Sequence, residues 1–417
     1  MVVAVAVFIC AVVMITNKRS YGVMYNVNTL FSGMWCICLA VASLGLYGLN
    51  PPDTYIYAMG FIAVILFNIF PSVKKNKQNI DFQVSEFSGI YRHQILYMLH
   101  IVAYIFALPL VKTSMEYIME FGYDQIRGAE QEALGQSSLV AHAMQWLCLP
   151  LFNVTMICAA IGVATKRKKI APTVILAVID AASYAVIYGG RYIVVKFIFF
   201  MVSAFVISEK GRIKYLFKNH KKVIIFAMLG ILLLNYLTSL RSVSGMGFIG
   251  NLVVYFAGSF SFLSELLSRN VHGSYMGFGR ITFGFILNFI SVIGTFVFGM
   301  PYKGTDALVT SFVGDYLTIG DSITYNALPS VLYYFILDFG KIFWVFGIII
   351  FSAFAHRMED NFYKKKDWNS FCKYLYILFT LFDSVLKYGY VGIGTLVSFL
   401  LIELFTSDKC KIEKIGW

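Results

Sequence analysis

The chain has 417 residues, of which 59% are hydrophobic and only 13% charged, with a mean hydropathy of +0.73. A soluble domain carries about 25% charged residues, so a soluble enzyme, a nucleic-acid-binding domain and a disordered tail are excluded. The formal charge of +12 comes from basic residues set between long apolar runs, which is the positive-inside pattern of a polytopic membrane protein.

Hydropathy predicts helices at about 1–16, 29–49, 54–70, 93–111, 139–164, 171–188, 192–208, 223–240, 331–355, 371–387 and 389–405. Two further apolar stretches, about 248–267 and 281–300, are rich in Gly, Ser and Asn. They read equally as spans, re-entrant pieces or interfacial helices. The expectation is an all-α polytopic integral membrane protein, a single domain over 1–417, with about 11 to 13 transmembrane helices. The first run is short, because its sixteen residues cover about 24 Å as a helix against a bilayer core of roughly 30 Å. It has no basic n-region and no small-residue cleavage site, so it does not read as a signal peptide.

Basic residues orient the helices. Lys18 and Arg19 follow the first, Lys74, Lys75 and Lys77 the third, and Lys166 to Lys169 the fifth. Lys210 to Lys222 follow the seventh, Arg357 and Lys364 to Lys366 precede the penultimate one, and Lys409, Lys411 and Lys414 close the tail. These loops alternate, so they share the cytoplasmic side, with the N-terminus outside and the C-terminus inside. The two ambiguous stretches come as a pair and leave this sidedness unchanged. On the opposite side, 112–138 is acid-rich, and 241–330 is the largest extracytoplasmic or re-entrant region. The seven cysteines lie mostly in apolar runs without metal-ligand spacing, which predicts buried, reduced small hydrophobes. No cofactor motif is present.

Polar chemistry concentrates in 241–330. Arg241 adjoins Gly245, Gly247 and Gly250; Arg280 follows Gly277-Phe278-Gly279; Arg191 follows Gly189-Gly190 in an outer turn. A single outer arginine reads equally as one snorkelling to lipid phosphate. Three beside Gly-rich turns, on the side that should be poor in arginine, suit an anionic lipid substrate, since guanidinium forks grip diphosphates. Glu265 and His272 are candidate acid–base groups in the same region, and a lone loop histidine reads equally as inert surface. Asp306, Asp315 and Asp321 lie among aromatic and hydroxyl residues, a composition that suits sugar binding and also an ordinary outer loop. Within apolar helices, Asp383 with Lys387 and Asp338 with Lys341 have the spacing of ion pairs. Asp180 and Lys196 have no partner by spacing. Ionisable groups at membrane depth suggest a proton or ion relay, hence a transporter.

Three stretches give the chain its likeness to a family. They are Gly189-Gly190-Arg191 leading to a basic loop, Arg241 through Tyr255–Phe262 and on to Gly279-Arg280-Ile281-Thr282-Phe283, and Leu337-Asp338-Phe339-Gly340 ahead of Gly347. In these, and in the layout of nearly its whole length, the chain resembles the Wzy-type polymerases of bacterial O-antigen and capsular polysaccharide repeat units. The resemblance implies a membrane glycosyltransferase of GT-C-like architecture in the bacterial inner membrane. Such a protein transfers a growing glycan from undecaprenyl diphosphate to the nonreducing end of the next lipid-linked unit. It implies a lipid-linked oligosaccharide substrate, membrane lipid, a chain-length regulator and a flippase as partners, and no nucleic acid, nucleotide sugar, cofactor or metal. The catalytic set expected on this reading is Arg191, Arg241 and Arg280 on the diphosphate leaving group, with Glu265 or His272 as base. A polysaccharide flippase or other secondary transporter and an O-antigen ligase are the alternatives.

Overall fold

Apolar runs at helical spacing become helices almost where hydropathy sets them. The computed structural model describes residues 1–21, 24–69, 90–122, 138–167, 169–190, 192–209, 228, 230–232, 235–236, 247–300, 304–326 and 328–407. Arg191, Arg241 and most of the predicted 223–240 helix lie outside the described residues. The helices are α1 (Val2–Tyr21), α2 (Val27–Ala42), α3 (Thr54–Ile69) and α4 (His93–Phe121). Next come α5 (Ser138–Ala143), joined through a π-turn at Met144–Cys148 to α6 (Leu149–Ala164), then α7 (Ala171–Tyr188) and α8 (Tyr192–Ser208). After these come α9 (Phe248–Ser268), α10 (Gly284–Phe298), α11 (Thr305–Val313), α12 (Ser330–Phe343), α13 (Val345–Lys365), α14 (Trp368–Asp383) and α15 (Ile393–Phe405). Two short antiparallel ribbons complete the fold: β1 (Ile90–Tyr91) with β4 (Thr406–Ser407), and β2 (Leu317–Gly320) with β3 (Ile323–Tyr325).

Among the described residues, four helices are long and apolar enough to cross a membrane: 93–121, 140–164, 171–188 and 249–268. Six shorter apolar helices accompany them. The chain is therefore an all-α protein with the build of a helical membrane protein. Of the two ambiguous stretches, the one around 248–267 is long enough to span. Six cysteines are described, all free, and all but Cys10 are buried.

The chain divides into two compact units. One comprises 1–80, 249–363 and 380–395; the other comprises 81–248, 364–379 and 396–417. In the first, Asn26 caps α2 by accepting the Thr29 N–H at 2.9 Å, a contact worth about 1 kcal/mol. Phe31 stacks on Phe67 with centroids 4.0 Å apart, and Trp35 Nε1 donates to Ser384 Oγ at 2.9 Å.

The predicted single helix over 331–355 is broken. Gly340, inside α12, sits at φ 78°, ψ 176° and kinks it, and a separate helix, α13, begins at Val345. Leu337 and Asp338 carbonyls accept the N–H groups of Gly277 and Phe278, at 2.8 and 2.9 Å. A loop thus satisfies carbonyls that a continuing helix would have used. Residues 330–338 are buried all round, as expected of a helix threaded through a core. Gly347 lets α13 fold back on Phe335, whose ring occupies the space a Cβ would need.

Similarly, α14 stops at Asp383, and 384–392 run as an irregular segment. Its carbonyls are not left bare. Leu386 and Ser384 accept from the Ser330 and Val331 N–H groups at 3.0 and 2.9 Å, and Tyr390 accepts from Phe285 at 2.9 Å. Asn288 Nδ2 donates to the Val391 carbonyl at 2.9 Å.

In the second unit, α6 is buried everywhere except Leu149, Asn153 and Val163. Asp180 of α7, fully buried, has partners that spacing did not reveal. Tyr104 Oη donates to its Oδ1 at 2.8 Å, and His100 Nε2 lies 3.0 Å from its Oδ2. His100 Nδ1 faces the Leu96 carbonyl at 2.8 Å, so Nδ1 carries a proton. Lys196 rests its ammonium 4.7 Å from the centre of the Phe379 ring, a cation–π contact. Asp180→Ala is expected to lower thermal stability in detergent by about 1–3 kcal/mol for each stranded group. A melt unchanged from the parent would contradict a structural role for this network.

Candidate functional site

The site grows from the loop between α9 and α10, residues 269–283, which lies against α12. The buried Asp338 carboxylate accepts the Ile281 N–H at 2.9 Å and also the Thr282 N–H. With the two backbone bonds from Gly277 and Phe278, these fix the turn Gly277-Phe278-Gly279-Arg280. Phe278 and Gly279 hold positive φ, 50° and 88°; glycine adopts this freely, and at Phe278 it is strain that the carboxylate clamp sustains. Asp338 is therefore engaged by backbone rather than paired with Lys341, as spacing suggested. Lys341 Nζ instead donates to Asn270 Oδ1 at 3.2 Å.

Arg280 leaves this turn half-buried, beside the Tyr275 hydroxyl. Tyr275 packs its ring 5.2 Å from that of Phe312 on α11. His272, from the same loop, is buried with its ring 6.0 Å from Tyr333, edge to face. His272 Nδ1 and Tyr333 Oη are both buried without a hydrogen-bond partner. Most buried polar groups are satisfied, so these two atoms on neighbouring rings stand out among the described residues. Burial, and secondly the charge of Lys341, hold the His272 imidazole below its ordinary value of 6.5. It is neutral at pH 7 and available to take a proton.

Glu265 sits near the C-terminal end of α9 and accepts from Arg269 Nε at 3.2 Å, a pair whose side chains are 34% and 54% exposed. Such a pair contributes roughly 0–1 kcal/mol. Its carboxylate is occupied by that arginine. Sequence reasoning thus reached Arg280 and His272, which share one clamped loop, and Glu265, which does not belong to that loop.

It missed Asp338 as the clamp, and it missed Tyr388. Tyr388 Oη donates to the Thr282 carbonyl at 2.9 Å, tying the irregular 384–392 segment to the Arg280 turn. The same Tyr388, with Tyr334, Asp306, Thr310 and Lys387, lines a cavity of about 270 Å³. Asp306 and Tyr388 are far apart in sequence, and no local pattern links them. Lys387 lies 3.9 Å from Asp383, the pair that spacing anticipated. Among the described residues, no group of three or more His, Cys, Asp or Glu side chains is arranged to hold a metal ion. Compared with family models, with curated proteins and with solved structures, the chain matches none.

Proposed function

We propose that the chain is a polysaccharide polymerase of the bacterial inner membrane. It joins undecaprenyl-diphosphate-linked oligosaccharide repeat units into O-antigen or capsular polysaccharide, as its resemblance to the Wzy-type enzymes suggests. On this reading the protein is a GT-C-like glycosyltransferase with about 11 to 13 spans, its N-terminus outside, its C-terminus cytoplasmic, and 241–330 on the outer face. The observation that carries the reading is Arg280, held on a strained turn by a buried carboxylate, with neutral His272 on the same loop.

The chemistry follows from charge. The anomeric C–O bond to the lipid diphosphate breaks, and its electron pair leaves on the phosphate oxygen. A guanidinium fixed beforehand at that position stabilises the developing charge. The acceptor hydroxyl forms the new C–O bond and loses its proton to a base, for which His272 is the better placed of the two candidates. Arg191 and Arg241 join Arg280 in this role as part of the proposal. The transporter alternative drew on Asp180, Lys196 and the Asp383/Lys387 pair; Asp180 and Lys196 are engaged by His100, Tyr104 and Phe379, and Lys387 lies 3.9 Å from Asp383.

The test is reconstitution. Purified protein in nanodiscs, given only the lipid-linked repeat unit, should form polymer and release undecaprenyl diphosphate; release without polymer, or neither, would refute the proposal. His272 adds a pH signature. Because its folded value is depressed, the neutral base is fully present above pH 6.5 and is lost as pH falls through that lower value. The rate should show an acid limb below pH 6.5 that His272→Gln abolishes along with most activity. An unchanged limb in that variant would remove His272 from the mechanism.

A further inference from the structure

We propose that the cavity between α11 and the 384–392 segment is a subsite for one neutral pyranose ring, the nonreducing-terminal sugar of the acceptor. This assignment rests on the polymerase reading and names what that site would hold.

Size is the first argument. At about 270 Å³ the cavity falls just under the range of about 300–1,000 Å³ typical of drug-sized ligands, so it takes one ring rather than a chain. Only a terminal sugar presents a single ring, and the nonreducing end of the acceptor is the end that reacts.

The lining is the second. Tyr334 and Tyr388, both largely buried, put aromatic rings in the wall, with their centres 6.3 Å apart. Asp306 offers a carboxylate acceptor, Lys387 an ammonium donor and Thr310 a hydroxyl. A few fixed polar groups on an aromatic wall are what orient a polyhydroxylated ring.

Charge is the third, and it separates this site from the diphosphate. The lining carries one carboxylate, Asp306, and one ammonium, Lys387, and that ammonium already lies 3.9 Å from the buried Asp383 outside the lining. That balance disfavours an anion. Asp306 faces the cavity, where water reaches it. The protein enclosing it nonetheless pushes its carboxyl above the usual range, against the pull of Lys387.

Position is the fourth. Tyr388 bridges the cavity to the Arg280 turn through the Thr282 carbonyl, and Tyr275 beside Arg280 packs on Phe312 of α11. Acceptor sugar and leaving group would then be held by one connected set of residues.

Saturation-transfer NMR on the full chain in nanodiscs tests this directly. The probes are free neutral hexoses, 6-deoxyhexoses and N-acetylhexosamines, with glucuronic acid and glucosamine as charged comparators. At least one neutral sugar should receive saturation. Asp306→Asn should weaken it about tenfold, the loss of one charge-assisted hydrogen bond. Gly392→Val should abolish it, because a Cβ there meets Asp306 Oδ2 at 2.9 Å. If Gly392→Val does not fold, the isosteric Asp306→Asn decides. No saturation of any neutral sugar, saturation that survives Asp306→Asn, or a preference for the charged sugars would overturn the assignment. Should a strain lacking the chain still polymerise while the purified protein binds a neutral sugar, the polymerase reading fails and the sugar site stands. Lost polymerisation without sugar binding means the reverse.

Discussion

If the chain is the polymerase proposed above, Arg280→Ala is expected to stop repeat units from being joined while the protein stays in the membrane at normal abundance. The side chain is half-buried and its turn is fixed by hydrogen bonds to the Leu337 and Asp338 carbonyls and the Asp338 carboxylate, with Tyr388 donating to the Thr282 carbonyl. Removing the guanidinium therefore removes charge from the site and leaves its frame in place. The loss of one preorganised group facing a developing negative charge costs about 10²–10³ in rate, enough to collapse a polymer ladder to short products. Arg280→Lys should recover little, since an ammonium lacks the two-pronged geometry that grips a diphosphate. The readout is the polysaccharide ladder beside a membrane immunoblot and a thermal melt. Full-length polymer in Arg280→Ala at parental abundance removes this arginine from the mechanism.

Asp338→Ala fails differently. Its carboxylate accepts the buried Ile281 and Thr282 N–H groups, so alanine strands both. Each stranded donor costs about 1–3 kcal/mol, and the strained Phe278 backbone loses the clamp that sustains it. Asp338→Asn presents an amide N–H to backbone donors and should also be damaging. The variant is expected to lose thermal stability and polymer together, whereas Arg280→Ala loses polymer alone. Lys341→Ala is the informative contrast. If Asp338 and Lys341 formed an ion pair, the two alanine variants would behave alike. With Lys341 bound to Asn270 on an exposed face, Lys341→Ala should leave the melt almost unchanged. A melt as depressed as that of Asp338→Ala would contradict the clamp.

These contrasts show which features the sequence carries and which it does not. Apolar runs fixed most helices closely: 171–188 and 192–208 coincide with α7 and α8, because continuous apolar composition leaves a membrane-depth backbone few options besides helix. The two breaks were not legible. Hydropathy averages across Gly340, which is why Asp338 and Lys341 looked like a helical pair; the spacing holds only if the helix continues. The 384–392 segment is apolar enough to read as helix, yet its carbonyls are satisfied by α10 and α12, a tertiary fact with no local signature.

The site was legible to the same extent. Arginine beside glycine, and a histidine in a polar loop, are chemical anomalies a sequence displays. The burial of His272 beside Tyr333 and the bond from Tyr388 to Thr282 depend on strands of chain far apart. Asp180 shows the opposite case. A buried carboxylate looked functional because its partners, His100 and Tyr104, lie on another helix.

The most direct measurement is a gel of surface polysaccharide from a strain lacking this chain. The account predicts a single repeat unit on the normal acceptor, because export and attachment continue without polymerisation. Lipid-linked polymer accumulating outside with no surface glycan would indicate a ligase, single units trapped inside would indicate a flippase, and an unchanged ladder would contradict the account altogether.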